Sequence, residues 1–291
     1  SQLISCTGVI GVSLPMDIVG NAIDGVAEKL QACALEQAAV AILTTDKQAK
    51  MASVEFDGVT LCGFAKGAGM IEPNMATMLS YFFTDVKIDK TDLDQILKRA
   101  VDKTFNAISV DSDTSTSDTV AIFSTNEKTI DEVGLQHFER ALTALCLKLA
   151  RDIIGQAEGA NQVIEAKVSL STSYEDARLF TKKIINSPLI KTAVYGRDPN
   201  WGRIVMAVGK PSDRETLPEI QPADVLIKIL GQTVFEYGHQ IPLDLEALSA
   251  RMGEAKTVDI EVEIGRPVYT AKAWGCDLSE GYIKINAEYT T

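Results

Sequence analysis

Apolar positions along the chain fall into two periods, and their alternation predicts a mixed α/β protein. Leu14-Pro15-Met16 precedes apolar residues at Ile18, Val19, Ala22, Ile23, Val26 and Leu30, the three-to-four spacing of an amphipathic helix that ends near Cys33. Pro15 fits the first turn of that helix. Ala38 to Leu43 reads as a buried strand entering the polar turn Thr44-Thr45-Asp46, and Val54 to Phe64 as a hairpin about Asp57-Gly58. A glycine-rich stretch, GFAKGAG, then leads to a strand from Met78 to Ile88. Thr91 is placed to cap a helix carrying Leu93, Ile96, Leu97, Ala100 and Val101. The hydroxyl-rich tract Asp111 to Thr119 runs into a strand at Val120 to Ser124, and Phe138, Leu142, Leu145 and Leu149 mark one stripe of a long helix over Leu135 to Ile154. Further strands are expected at 163–170, 189–195, 204–208, 225–230, 258–264, 269–274 and 282–285. Strands outnumber helices in this reading, with no internal repeat and no low-complexity linker.

Composition narrows what such a chain can bind. At 291 residues, 46% hydrophobic and 23% charged, it can bury one large core or two. A net charge of −12 opposes nucleic acid and anionic membrane surfaces, which call for clustered Lys and Arg, and favours a small-molecule substrate. Neither a secretory leader pattern at the start nor an apolar run of membrane-spanning length is seen. Five scattered cysteines, an odd number, suit free thiols in a reducing compartment, so a cytoplasmic protein is expected.

The residues also exclude several chemistries. His137 and His239 are the two histidines, and neither neighbourhood resembles a positioned triad imidazole. No CxxC pair and no HExxH occurs, so no metal is expected. The tract DSDTSTSD (Asp111 to Asp118) opens like a calcium loop but has Thr116 at its sixth position and Ile122 at its twelfth, where glycine and glutamate belong. The stretch Gly63 to Gly69 lacks the Gly-Lys-Ser/Thr of a phosphate-binding loop and precedes a strand.

What remains is Thr77, between Ala76 and an apolar strand. A threonine hydroxyl needs a base, and without a histidine the economical one is its own α-amino group, which exists only if the chain is cut before Thr77. Attack of the hydroxyl on the Ala76 carbonyl would release that amine. Gly67 and Gly69 can adopt positive φ and help hold the peptide. Lys66 would lower an amine that ordinarily titrates near ~7.7–8.0. The other reading of the same residues is a glycine turn before a core strand.

Longer stretches carry more information. AKGAGMIEPNMATML (Ala65 to Leu79) resembles the segment that holds the self-cleavage site of the bifunctional ornithine acetyltransferase / glutamate N-acetyltransferase family of arginine biosynthesis. CTGVIGVSLPM (Cys6 to Met16), AILTTD (Ala41 to Asp46), TFNAISVDSDTSTSDT (Thr104 to Thr119), KTAVYGRDPNWGRI (Lys191 to Ile204) and AWGCDLSEGYIKINAEYTT (Ala273 to Thr291) match in order, from end to end. The resemblance implies layered sheets and helices of the ornithine acetyltransferase / DmpA-like superfamily, distinct from the N-terminal-nucleophile hydrolases. It also implies cleavage at Ala76-Thr77 into residues 1–76, the C-terminal part of an α chain, and residues 77–291, a β chain, assembled as two of each.

Thr77 would be the nucleophile of an acyltransferase, taking acetyl from N-acetylornithine and passing it to glutamate. Thr7 and Gly8 would form the oxyanion hole. Thr44, Lys66, Glu158, Asn286 and Thr291 would bind substrate. Lys66 can face a carboxylate or tune the amine, Glu158 suits an ammonium, and Asn286 and Thr291 can hydrogen-bond the amino-acid end of the substrate. No cofactor is implied, although acetyl-CoA is a conceivable second donor. The resemblance gives Arg197 to Arg203 no role; the segment suits a rigid loop anchored by Trp201 as well as direct contact.

Family members carry a substantial further segment before the Cys-Thr-Gly motif, near which this numbering begins. The rival readings are an aminopeptidase or amidase of the same superfamily, in which water resolves the acyl-enzyme, and an uncleaved assembly subunit.

Overall fold

The computed structural model describes residues 3–32, 34–72, 78–210 and 220–288. The expected Ala76-Thr77 cleavage site, and Thr291, lie outside them. Two sheets divide the described chain. In the first, β1 (Lys50–Phe56), β2 (Val59–Lys66), β3 (Leu79–Val86) and β4 (Thr119–Lys128) lie in chain order, antiparallel except for the parallel pair β3/β4. The β1/β2 hairpin turns where the sequence places it: Phe56 pairs with Val59, and Asp57 (φ 47°) and Gly58 (φ 75°) both take the left-handed conformation of a two-residue hairpin turn.

The second sheet runs β10 (Tyr269–Cys276), β5 (Val163–Leu170), β9 (Thr257–Ile264), β6 (Val225–Ile229), β7 (Gln232–Glu236), β8 (His239–Gln240), with β5/β9 parallel. This mixed α/β architecture of layered sheets and helices is the one the sequence predicts.

Each sheet has its own core. Helices α3 (Lys90–Lys103) and α4 (Glu132–Gly155) cover the first sheet, burying Phe138, Leu142, Leu149 and Ile153 from α4 against Leu61, Phe82 and Phe105. Asp131 caps α4 by accepting the Gly134 N–H. Helices α5 (Tyr174–Ile185), α6 (Pro188–Tyr195), α7 (Trp201–Gly209) and α8 (Leu245–Glu254) cover the second. Strand β10 joins the two cores: Ala271 and Ala273 pack in the second, while Trp274 and Cys276 pack in the first. Its Trp274 carbonyl also accepts the Ser109 N–H.

Four expected strands are helices. Residues 189–195 lie in α6 and 204–208 in α7, because Ser187 and Asn200 cap these helices and their apolar residues recur at i, i+3 and i+4 (Ile190, Ala193, Val194; Ile204, Ala207, Val208). Residues 38–43 fall mainly in α2 (Leu35–Ala41), and 282–285 in α9 (Glu280–Glu288). The first helix, expected to run from Ile18 to near Cys33, is shorter. It is α1 (Met16–Ile23), which has Pro15 at its N-cap position rather than in its first turn and buries no residue, and a 3-10 turn (Val26–Lys29) follows it. Helix α3 starts one residue before Thr91, with Asp89 at its cap. No helix among the described residues is long and apolar enough to cross a membrane, and Cys6, Cys62, Cys146 and Cys276 are all free thiols.

Candidate active site

The sheet built from β1 to β4 positions the site through one row of its ladder. Lys66 at the end of β2 pairs with Leu79 at the start of β3, and Leu79 with Thr119 at the start of β4. Lys66, in that row, lines a cavity of about 410 Å³. Six of the residues named from the sequence line this cavity: Thr7 and Gly8 from the segment before α1, Thr44 from the turn after α2, Lys66 from β2, Glu158 from the loop after α4, and Asn286 from α9. Thr77, Ala76 and Thr291 lie outside the described residues.

Lys66 is 3% exposed and has no hydrogen bond or ion pair among the described residues. Burial lowers its pKa, while Asp46 and Asp118 pull it back up and Lys50 pushes it down. The Asp46 carboxylate is already engaged: Oδ1 accepts from Lys50 Nζ at 2.6 Å and from the Gly67 N–H at 2.7 Å, in an ion pair whose side chains are wholly buried. Lys66 is thus a buried cation at the cavity wall whose donors have no partner among the described residues, suited to a substrate carboxylate.

Glu158 stands among the groups of opposite character. Its N–H donates to the Ala68 carbonyl, and its Oε2 accepts from Asn286 Nδ2 at 3.1 Å. Here the glycines matter in different ways. Gly67 takes φ 155°, closed to side chains, as the sequence allows. Gly69 does not adopt positive φ; its lack of a side chain instead makes room for Glu158, since a Cβ there would lie 2.5 Å from Oε2. Gly159, at φ 67°, lets α9 approach: a Cβ would meet the Tyr282 nitrogen at 2.1 Å.

Three carboxylates at or beside the site were not singled out from the sequence as site residues. Asp111 accepts the Met70 and Ile71 N–H groups at 2.8 and 2.9 Å and the Tyr282 hydroxyl at 3.2 Å, fastening the glycine loop and α9 to one side chain. Burial and Asp111 together push the Tyr282 phenol up. Asp46 holds Gly67 in place, as described above. Asp118 sits next to the row that starts β3 and β4; both its carboxylate oxygens are buried without a hydrogen-bond partner, and burial pushes its pKa up to about 7 against the opposing pull of the Met78 backbone and Lys66. Asp111 and Asp118 bound the tract whose calcium-loop pattern fails. What that pattern could not reveal is that the tract forms a wall of the cavity.

Other residues considered from the sequence lie elsewhere. His137 pairs with Asp57 at 2.6 Å on the surface, and His239 is exposed on β8. Trp201 stacks on Phe235, Arg203 donates to the Leu189 carbonyl and the Thr192 hydroxyl, and Ser249 donates to the Arg197 carbonyl. The 197–203 segment is thus a packing corner outside the cavity lining. No group of three or more metal-ligating side chains occurs among the described residues.

Known proteins share this chain over its whole length. The ArgJ family model matches residues 1–291. Arginine biosynthesis bifunctional protein ArgJ 2 of Clostridium acetobutylicum is 42% identical over 286 residues, covering 98% of this chain and 72% of its own. Glutamate N-acetyltransferase Oat2 of Streptomyces clavuligerus is 40% identical over 295 residues, covering 100% and 73%. A solved structure, the arginine biosynthesis bifunctional protein argJ of Bacillus halodurans, matches with a TM-score of 0.67 and 35% identity over 73% of this chain and 100% of its own. The chain belongs to the ArgJ family.

Proposed function

We propose that this protein is an acyltransferase of arginine biosynthesis that moves the acetyl group of N-acetyl-L-ornithine to L-glutamate. The observation that carries the reading is the cavity: six residues from five segments, Thr7, Gly8, Thr44, Lys66, Glu158 and Asn286, converge on one space. A hydroxyl, a desolvated cation and a carboxylate-amide pair there match an amino-acid substrate bearing charges of both signs.

In this scheme Thr77 becomes the N-terminal residue of a β chain, 77–291, after its hydroxyl attacks the Ala76 carbonyl and the resulting ester is hydrolysed. The solved relative matches 73% of this chain, close to the share that 77–291 makes up. The freed α-amine removes the hydroxyl proton as Thr77 attacks the acetyl carbonyl of the donor. The Thr7 hydroxyl and the Gly8 N–H stabilise the oxyanion. Ornithine leaves with the proton, and the α-amine of glutamate attacks the acetyl-threonine ester to give N-acetylglutamate and restore the hydroxyl. This double displacement requires ping-pong kinetics and no cofactor; acetyl-CoA is an alternative donor to include in the assay. Two α and two β chains in the cytoplasm complete the reading.

Intact mass and N-terminal sequencing test it first, together with the acetyl-transfer assay. Two chains, one beginning at Thr77, are expected, with Thr77→Ser cleaved slowly and Thr77→Ala uncut and inactive. Turnover by Thr77→Ala would overturn the mechanism, and acetate release without need of glutamate would reassign the protein to the hydrolases.

A further inference from the structure

A ping-pong transferase with one nucleophile must receive two substrates in one place, and the proposed donor and acceptor differ most at the side-chain terminus. Ornithine ends in an ammonium, glutamate in a carboxylate. A seat carrying a fixed charge of either sign would reject one of them. The charged residues of the cavity lining are one cation, Lys66, and the carboxylates Asp111, Asp113 and Glu158. The same lining includes four consecutive hydroxyl residues, Thr114 to Ser117.

A hydroxyl donates and accepts, so rotation alone converts it from a partner for a carboxylate into one for an ammonium. The Thr114 hydroxyl donates to the Glu72 carbonyl at 3.3 Å, and the hydrogen bonds of the other three leave that rotation open. Ser115 Oγ accepts the Ser117 N–H at 3.2 Å and keeps its own proton unused. The Thr116 and Ser117 hydroxyls meet at 3.4 Å, where either can be the donor. The main chain of the tract, by contrast, is fixed: the Glu72 N–H donates to the Asp113 carbonyl and the Thr119 N–H to the Met78 carbonyl. The wall is rigid in its backbone and reversible in its hydrogen-bond polarity.

We propose that the hydroxyl wall Thr114–Ser117 is the seat of the side-chain terminus of both substrates, ammonium in one half-reaction and carboxylate in the other, while Lys66 holds the α-carboxylate they share. This rests on the transferase reading above. A seat of this kind predicts that a fixed charge placed on the wall separates two affinities that the native wall keeps together.

The test uses the full chain with Thr116→Asp and Thr116→Lys, at an exposed position, and measures KM for N-acetylornithine and for glutamate separately. Thr116→Asp is expected to raise KM for glutamate about tenfold or more without raising that for N-acetylornithine, and Thr116→Lys to do the reverse. Ser117→Ala, which introduces no charge, is expected to raise both KM values with kcat retained, and serves if a charged variant fails to fold. KM values that move together in the charged variants, or wild-type values for Ser117→Ala, overturn the seat while leaving the transferase standing. Absence of acetyl transfer by the unaltered protein removes the transferase reading itself.

Discussion

Asn286 on α9 donates its side-chain amide to Glu158 Oε2 at 3.1 Å, and both residues line the same cavity as Lys66. The contact ties a residue near the end of the chain to the loop that closes α4, and it leaves Glu158 a second oxygen for substrate. Asn286→Asp replaces a donor with a second carboxylate, so that one of the pair must take up a proton or move away. The expected result is a KM for N-acetylornithine raised about tenfold, with an added pH dependence between ~4 and ~7. Steady-state kinetics across that range check it, and Asn286→Gln serves as the control that keeps the donor.

Gly159 makes that contact reachable. With φ at 67° and the Tyr282 nitrogen 2.1 Å from where a Cβ would lie, Gly159→Ala must displace α9 as well as strain its own backbone. The left-handed conformation alone costs ~1–2 kcal/mol for a residue with a Cβ. A lower Tm is therefore expected, together with a loss of activity larger than the stability loss explains, because Asn286 and Tyr282 move with the helix. Thermal unfolding alongside kcat/KM separates the two effects.

These two contacts also show which parts of the molecule the sequence reveals. The hairpin at Asp57-Gly58 is legible because two left-handed positions in a row need that kind of turn chemistry, and α4 because its apolar stripe outlasts any strand. Helices α6 and α7 are misread because short apolar runs such as Leu189–Tyr195 suit either element by composition. The deciding signals, Ser187 before Pro188 and the i, i+3, i+4 spacing of Ile190, Ala193 and Val194, are present but small. In the site, Lys66, Glu158 and Asn286 are identified by resemblance to a family, since neither a lone lysine at a strand end nor an asparagine in the last turn of a chain announces chemistry. Asp111 and Asp118 owe their environments to segments distant in sequence, Met70 and Tyr282 for the first and Lys66 for the second, and Asp46, although it pairs with Lys50 four residues on, holds the distant Gly67, which local pattern does not show.

Lys191 illustrates the same limit beneath the site. It is 5% exposed, and its ammonium donates to the Val110 carbonyl at 2.8 Å and the Cys276 carbonyl at 2.5 Å, joining the segment that leads into Asp111 to the end of β10. Lys191→Met preserves the length of the side chain and leaves two buried carbonyls without their donor, at ~1–3 kcal/mol each. A Tm well below wild type is expected, with Lys191→Arg also destabilised because a larger fork must fit the same space. Urea unfolding gives the magnitude; wild-type stability in the methionine variant would mean that the carbonyls find other donors.

Asp118 yields the sharpest dependence on pH. Its folded pKa, about 7, stands above the ordinary aspartate value of 3.8, so between those limits the folded state binds more protons than the unfolded one, and stability falls as pH rises through the window. The charged groups around it are Lys66 from β2 and, on the cavity it shares with α3, Asp94, Lys98, Arg99 and Asp102, of which Arg99 is turned to Glu139 at 2.7 Å. Lys66 is therefore the cation whose field an ionised Asp118 joins. Asp118→Asn removes the titration while keeping the shape, so its Tm should match or fall below wild type at pH 5 and exceed it at pH 8, where the wild-type carboxylate is charged and buried without a hydrogen-bond partner. The variant also takes an anion away from Lys66, which lowers the lysine's pKa further and brings its loss of charge to lower pH. The rise in KM for either substrate with pH should then set in at lower pH in Asp118→Asn than in wild type, even as the fold gains stability, and a pair of Tm and KM profiles from pH 5 to pH 9 reads both signs in one experiment. Parallel Tm curves for the two proteins would place the Asp118 titration outside that range and remove the explanation for the shift in KM.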